Sequence, residues 1–143
     1  MLTKHVYLCG AITSNPYTWE WRKAAEEWFD DRGMSTLNPL RGKMVQNIDG
    51  LGFNSNIPAK HFVPRDLSDV ENCDAVLCNL LFIPDRQMIG SLMEIGAATA
   101  LEVPFVVVAV HEHIVKHPFI YVNAIDIVPT LEEGMEIVRF LLM

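Results

Sequence analysis

Two apolar runs constrain the fold of this chain more than any other feature. Residues 75–82 read AVLCNLLF and residues 104–110 read PFVVVAV. Neither alternates polar with apolar, so neither suits a strand with one face in water. Both suit strands buried on two faces, the condition of a parallel sheet covered by helices on each side. Each is too short for a membrane span, which needs about 20 apolar residues, and no other stretch reaches that length.

Helical and extended patterns alternate around these runs. VYLC at residues 6–9 is a third buried strand, stopped by Gly10, where a glycine allows a sharp turn or a close approach to a ligand. Over residues 18–32, Trp21, Ala24, Ala25, Trp28 and Phe29 recur every three or four positions, which predicts a helix opened by Thr18 and closed by Gly33. Residues 34–37 form a short strand ended by Asn38-Pro39. Residues 65–72 and 91–101 read as helices, residues 125–128 as a last short strand, and residues 131–142 as a helix begun at Thr130 with Glu132 and Glu133 in its first turn. Residues 41–64 have no period. Gly42, Gly50, Gly52, Pro58 and Pro64 interrupt them, while Met44, Ile48, Leu51, Phe53, Ile57 and Phe62 supply apolar material, so a substrate lid is preferred to a plain surface loop.

The order β-α-β-loop-α-β-α-β-β-α predicts one α/β domain over residues 1–143. In such folds ligands bind outside the carboxyl ends of the parallel strands. That rule gathers Gly10, Ala11 and the residues up to Thr13, Asn38, the region after Phe82 and the loop after Val110 around one crevice.

Composition narrows the function. Half of the residues are hydrophobic, which argues against disorder. Eleven Lys and Arg against 18 Asp and Glu leave a net charge of −7, which argues against a broad nucleic-acid-binding surface but allows a local basic pocket for a small anion. Cys9, Cys73 and Cys78 do not form a disulfide framework, and a reducing, cytoplasmic setting fits them. The apolar patch near Met1 is too short for a signal peptide. No G-x-G-x-x-G or G-x-x-x-x-G-K-[ST] segment occurs. His111, His113 and His117 in HEHIVKH lack the H-E-x-x-H pattern and read as an exposed loop, so no metal is expected. Ser91 with one of these histidines would make a hydrolase pair, but the G-x-S-x-G elbow is missing.

Two carboxylates stand out. Glu94, in GSLMEIGAATA, lies near the start of a helix that follows a buried strand. It reads either as a carboxylate facing the crevice or as a first-turn acid favoured by the helix dipole. Asp66, in PRDLSDVENCD, reads either as a crevice residue or as a helix cap, and Asp69, Glu71 and Asp74 as solvated surface.

VYLCGAIT, the Asn38-Pro39 pair, RDLSDVENCDAVLCNLLFIPD and GSLMEIGAATALEVPFVVV together resemble the nucleoside 2-deoxyribosyltransferase family, over nearly the whole chain. They are also similar to the related deoxynucleoside-monophosphate N-glycosidases. The resemblance implies a flavodoxin-like, three-layer fold with a five-stranded parallel sheet. It implies that Glu94, in a G-x-x-x-E-x-G segment with Gly90 and Gly96, attacks C1′ of a deoxyribose. Asp66 then holds the sugar or relays a proton to the leaving base, and Tyr7 orients the glutamate. Gly10 lies where the first turn meets the ligand. The family's base-reading aspartate falls on Met88, with Asp85 nearby. An asparagine lent by a neighbouring subunit falls on Ile120, with Asn123 three positions further. Ser14, Arg65, Ser91 and the N–H groups after Gly90 are available for a phosphate.

The resemblance thus implies base transfer between deoxynucleosides without a cofactor. An N-glycosidase acting on nucleosides or their 5′-monophosphates is the rival, and a non-catalytic nucleotide-binding module the alternative of another class. The expected partners are a deoxynucleoside or deoxynucleotide and a free nucleobase, with no nucleic-acid polymer and no membrane. A homo-oligomer, dimer or hexamer, is expected, and the apolar C-terminal run IVRFLLM fits that.

Overall fold

The computed structural model describes residues 2–43 and 56–143. Along the chain the elements are β1 (His5–Gly10), α1 (Tyr17–Asp30), β2 (Ser35–Leu37), α2 (Ala59–Asn72), β3 (Ala75–Asn79), α3 (Ile89–Ala100), β4 (Phe105–Val108), α4 (Glu112–Val115), α5 (Pro118–Asn123), β5 (Asp126–Val128) and α6 (Leu131–Leu142). The strands pair in parallel in the order β2-β1-β3-β4-β5. This is the flavodoxin-like order. From β1 the chain first goes outward to β2, then crosses over to β3. The strands stay paired to Gly10 and Asn79, but the connections leaving their carboxyl ends run in opposite directions and leave a crevice between them.

Successive side chains of a strand point to opposite faces, and this splits the core in two. Tyr7, Cys9, Val76, Cys78, Phe105 and Val107 pack with Val70 of α2, Ile95 and Ala98 of α3, Ile114 and Ile120. Val6, Leu8, Ala75, Leu77, Val106 and Val108 pack with Trp21, Ala25 and Phe29 of α1 and with Met135 and Val138 of α6. Both faces are covered, which is why β3 and β4 are apolar without alternation. The three cysteines are free and buried among these residues. No helix among the described residues is long and apolar enough to cross a membrane.

Several boundaries differ from the sequence reading for local reasons. α2 begins at Ala59, well before residue 65, and continues through Pro64. Proline removes one internal N–H bond, yet the helix holds because Val70 is anchored in the core. Residues 59–64, expected in the lid, are thus helical, while Met44, Ile48, Leu51 and Phe53 lie outside the described residues. β3 stops at Asn79 because that side chain turns the backbone. Its Oδ1 accepts from the Leu81 N–H at 3.1 Å and its Nδ2 donates to the Tyr17 hydroxyl at 3.1 Å.

Thr18 is not the cap of α1, which follows Pro16. Its buried hydroxyl instead accepts from the Thr13 N–H and bonds the Asn15 carbonyl, tying down the β1–α1 connection. Gly33, at φ +75°, does end α1. Thr130 does cap α6, accepting from the Glu133 N–H at 3.2 Å. After β4 the expected loop folds into α4 and α5, the latter capped by His117. Asp74 is not mere surface, since its carboxylate accepts from the His5 N–H at 2.8 Å and fixes the start of β1.

Candidate active site

Three elements bring the site together. Tyr7 sits in the middle of β1 on the face covered by α2 and α3, fully buried. Its hydroxyl donates a hydrogen bond to Glu94 Oε2. Glu94 is in the second turn of α3, and no acidic residue occupies the first turn. The helix-dipole reading of Glu94 therefore falls, because its carboxylate is held by Tyr7 across the crevice. Asp66 lies in the interior of α2 and not at its start, so the capping reading falls as well. Both carboxylates line a cavity of about 330 Å³, within the range of small-molecule sites. Its floor is the Gly10–Ala11 turn and its far wall the start of α3 at Met88, Gly90 and Ser91.

The shape of the floor depends on close packing at Gly10 and on the residue beneath it. A Cβ on Gly10 would stand 2.7 Å from the Asn79 carbonyl oxygen and 3.2 Å from Trp21, so only glycine lets β1 turn beside β3. Beneath it Arg22 is fully buried, and its guanidinium donates to the carbonyls of Leu8 (3.3 Å), Gly10 (2.7 Å), Ala11 (3.2 Å) and Thr18. These bonds replace the water a buried guanidinium would lose and hold the turn in place.

The electrostatics follow from this burial. Burial pushes the Glu94 carboxyl up from 4.5 to about 7, with the Asp66 charge adding to it and the Tyr7 hydrogen bond opposing it. Burial, then Glu94, raises the Tyr7 phenol, so it stays a donor. Asp66 is also raised, again by burial, while Lys43 and Arg65 pull it down. Its Oδ1 is buried without a hydrogen-bond partner. Lys43 Nζ lies 3.7 Å from Asp66 Oδ2 and Arg65 Nε 3.5 Å from Oδ1. Arg65 does not reach for a phosphate. Its two terminal nitrogens donate to the carbonyls of Pro39 and Arg41 at 2.9 Å. Asp69, read as surface, pairs with Arg41 at 2.6 Å.

A family model for nucleoside 2-deoxyribosyltransferases matches residues 6–136. The chain belongs to that enzyme family. Solved structures similar in fold include three that span nearly the whole chain. The 2-deoxyribosyltransferase of Bacillus psychrosaccharolyticus superposes with a TM-score of 0.67 at 17% identity, covering 92% of this chain and 90% of that one. A conserved protein from Enterococcus faecalis V583 gives 0.68 at 15% identity, covering 97% and 99%. The CMP N-glycosidase of Clostridium botulinum gives 0.55 at 15% identity, covering 96% and 99%. No curated protein sequence matches the chain.

Set beside the 2-deoxyribosyltransferase pattern, the structure separates the proposed site residues into two groups. Tyr7, Asp66 and Glu94 converge, and Gly10, Ala11, Met88, Gly90 and Ser91 line the same cavity. Asn38 does not. Its amide is spent on Glu26 at 2.9 Å and on the Leu40 N–H at 2.9 Å, a local turn that takes it away from the crevice. Asp85 is exposed and outside the lining, while its neighbours Pro84 and Arg86 are part of it. Ser14 is exposed and outside the lining too. Asn123 is exposed on α5, donating to the Phe119 carbonyl at 2.8 Å, away from the cavity of its own chain. Ile120 is buried in the core and has no polar group to lend.

The sequence reading overlooked Arg22, Lys43 and Arg86. Arg22 did carry a signal, since an arginine in line with Thr18, Ala25 and Phe29 lies on the apolar stripe of α1. Lys43 and Arg86 follow the ends of β2 and β3 without any periodic cue.

Proposed function

We propose that this chain cleaves the N-glycosidic bond of 2′-deoxynucleosides and hands the sugar to a second base through a glycosyl ester of Glu94. The observation that carries the reading is the Tyr7–Glu94 hydrogen bond, set in one cavity with a half-buried Asp66. A binding module has no need of that trio. Glu94 attacks C1′ as the bond to the base breaks, and its carboxylate steadies the oxocarbenium-like transition state. Tyr7 keeps one oxygen occupied, so the other meets the sugar. Asp66, whose carboxyl pKa is raised by burial, is the group placed to give a proton to the leaving base nitrogen. A second base then attacks C1′, returns its proton to Asp66 and frees Glu94.

Hydrolysis of a 5′-monophosphate is the second reading, favoured by Arg86 and the start of α3 on one wall of the cavity. In either case the protein works as a homo-oligomer. The apolar Ile89, Leu92 and Met93 are exposed beside the cavity, and Phe119, Tyr121 and Val122 are exposed around Asn123.

Deoxyinosine supplied with and without adenine separates the readings. New deoxyadenosine supports transfer, whereas hypoxanthine release independent of adenine means hydrolysis. The same assay with the 5′-monophosphates tests the phosphate. Glu94→Ala abolishes both reactions without unfolding the protein, and an active Glu94→Ala enzyme would sink the mechanism.

A further inference from the structure

Lys43 is placed unlike an ordinary surface lysine. Its side chain is only 4% exposed, although it stands just after the short edge strand β2. Its Nζ faces the Phe62 ring 3.9 Å from the centroid and lies 3.7 Å from Asp66 Oδ2. The ammonium thus has an aromatic face on one side and a carboxylate on the other, on the wall of the cavity that holds Glu94. We propose that Lys43 is a positioning residue for Asp66, whose charge keeps that carboxyl able to take a proton back in the second half of the reaction. The proposal rests on the glycosyl-ester reading of the preceding subsection.

Two cations flank Asp66, Lys43 at 3.7 Å from Oδ2 and Arg65 at 3.5 Å from Oδ1. Arg65 and Asp69 face it from α2 itself, Tyr7 from β1, Glu94 from α3 and Lys43 from the segment after β2. Arg65 has its terminal nitrogens bound to carbonyls, and Asp69 has Arg41 beside it. Lys43 is the strongest of the influences that oppose burial at Asp66. Removing it leaves burial less opposed and raises the Asp66 pKa further.

The two half-reactions respond differently. In the first, the C1′–N bond breaks, its electron pair stays on the base nitrogen, and that nitrogen takes the proton of Asp66 while Glu94 bonds to C1′. In the second, an acceptor nitrogen or a water oxygen bonds to C1′. The C1′–O bond to Glu94 then breaks and restores the carboxylate, and the acceptor's proton passes to Asp66. The first half needs Asp66 protonated and the second needs it ionised. Lys43 also favours the Glu94 anion, so the comparison is made at a pH where Glu94 is ionised; there, neutralising Lys43 favours the first and obstructs the second. Glu94 is esterified in that second half and does not titrate, so its pH dependence reports on Asp66.

The experiment compares Lys43→Gln, Lys43→Met and Lys43→Arg in rapid-quench assays with deoxyinosine and adenine, with intact mass spectrometry of the quenched protein. The expected result for the Gln and Met variants is a burst of hypoxanthine, slowed turnover and accumulated deoxyribosyl-protein. Their second half-reaction gains its rate about one pH unit or more higher than in the native enzyme. Lys43→Arg restores the native position. If burst and turnover fall together, or the pH position does not move, the proposal is overturned. A carbon-13 titration of the Asp66 carboxyl, assigned with Asp66→Asn, needs no substrate. An upward move in Lys43→Gln and none in Lys43→Arg supports the pairing, and no move in either overturns it. Native protein that releases no base counts instead against the proposed activity.

Discussion

Glu94 is asked to be buried and to be an anion, and the two requirements conflict. Burial lifts its pKa from 4.5 to about 7, so a sizeable share of the enzyme carries a protonated, unreactive nucleophile at neutral pH. The expected kcat/KM of the proposed reaction therefore rises with pH through about 7 on its acid side. Tyr7→Phe removes the hydrogen bond that favours the charged form, so its acid limb moves to higher pH and activity at pH 7 drops. An unmoved limb would mean that another group titrates there. Stability changes the other way. The folded protein holds the Glu94 proton more tightly than the unfolded chain does between pH 4.5 and about 7. Stabilisation by that proton is full below 4.5 and is lost as pH rises through the interval. Glu94→Gln, which keeps a neutral side chain at every pH, should melt higher than the native protein at pH 8 and at nearly the same temperature at pH 4. Thermal melts at the two pH values measure this directly.

Among the elements, α6 shows how closely a helix can lie on this sheet. A Cβ added at Gly134 would stand 2.6 Å from Val108 Cγ2 and 3.1 Å from Leu77 Cδ1. Both contacts are central core residues of β3 and β4 and have little room to move. In an exposed helix Gly→Ala gains about 1 kcal/mol of propensity. Here the overlap outweighs that gain, and Gly134→Ala is expected to destabilise the fold by about 1–3 kcal/mol. Equilibrium urea unfolding reads the sign, and a stabilised variant would show that α6 can lift off the sheet. α2 makes a related point. It carries Asp66 to the cavity and packs Val70 into the core, and that anchoring lets it run through Pro64 where local preference alone would start it later.

At the scale of the whole molecule, the cavity is open where apolar residues of α3 face solvent, and Asn123 lies elsewhere on the surface. A neighbouring copy that brings its Asn123 to this opening would complete the proposed site. Mixing Glu94→Ala with Asn123→Ala protein then restores activity that neither has alone, because a mixed assembly contains one site with both groups. Two inactive parents whose mixture stays inactive would show that Asn123 does not act across an interface. Analytical ultracentrifugation of the native chain checks that an assembly exists.

The layered α/β order was legible in the chain because burial on two faces requires continuous apolar strands, and helices between them require a 3.6-residue period. These are local consequences of backbone geometry, and AVLCNLLF and PFVVVAV display them without reference to anything else. The identity of Tyr7, Asp66 and Glu94 as a group came from resemblance, since no local rule links residues so far apart in the chain. What tertiary structure alone decided was the work of the polar groups: Arg22 beneath the turn, Lys43 against Asp66, and Asn38 spent on its own turn. A charged side chain is written the same way whether it ends in water or in a cavity. Only the packing of distant elements around it determines its solvation, its partners and therefore its chemistry.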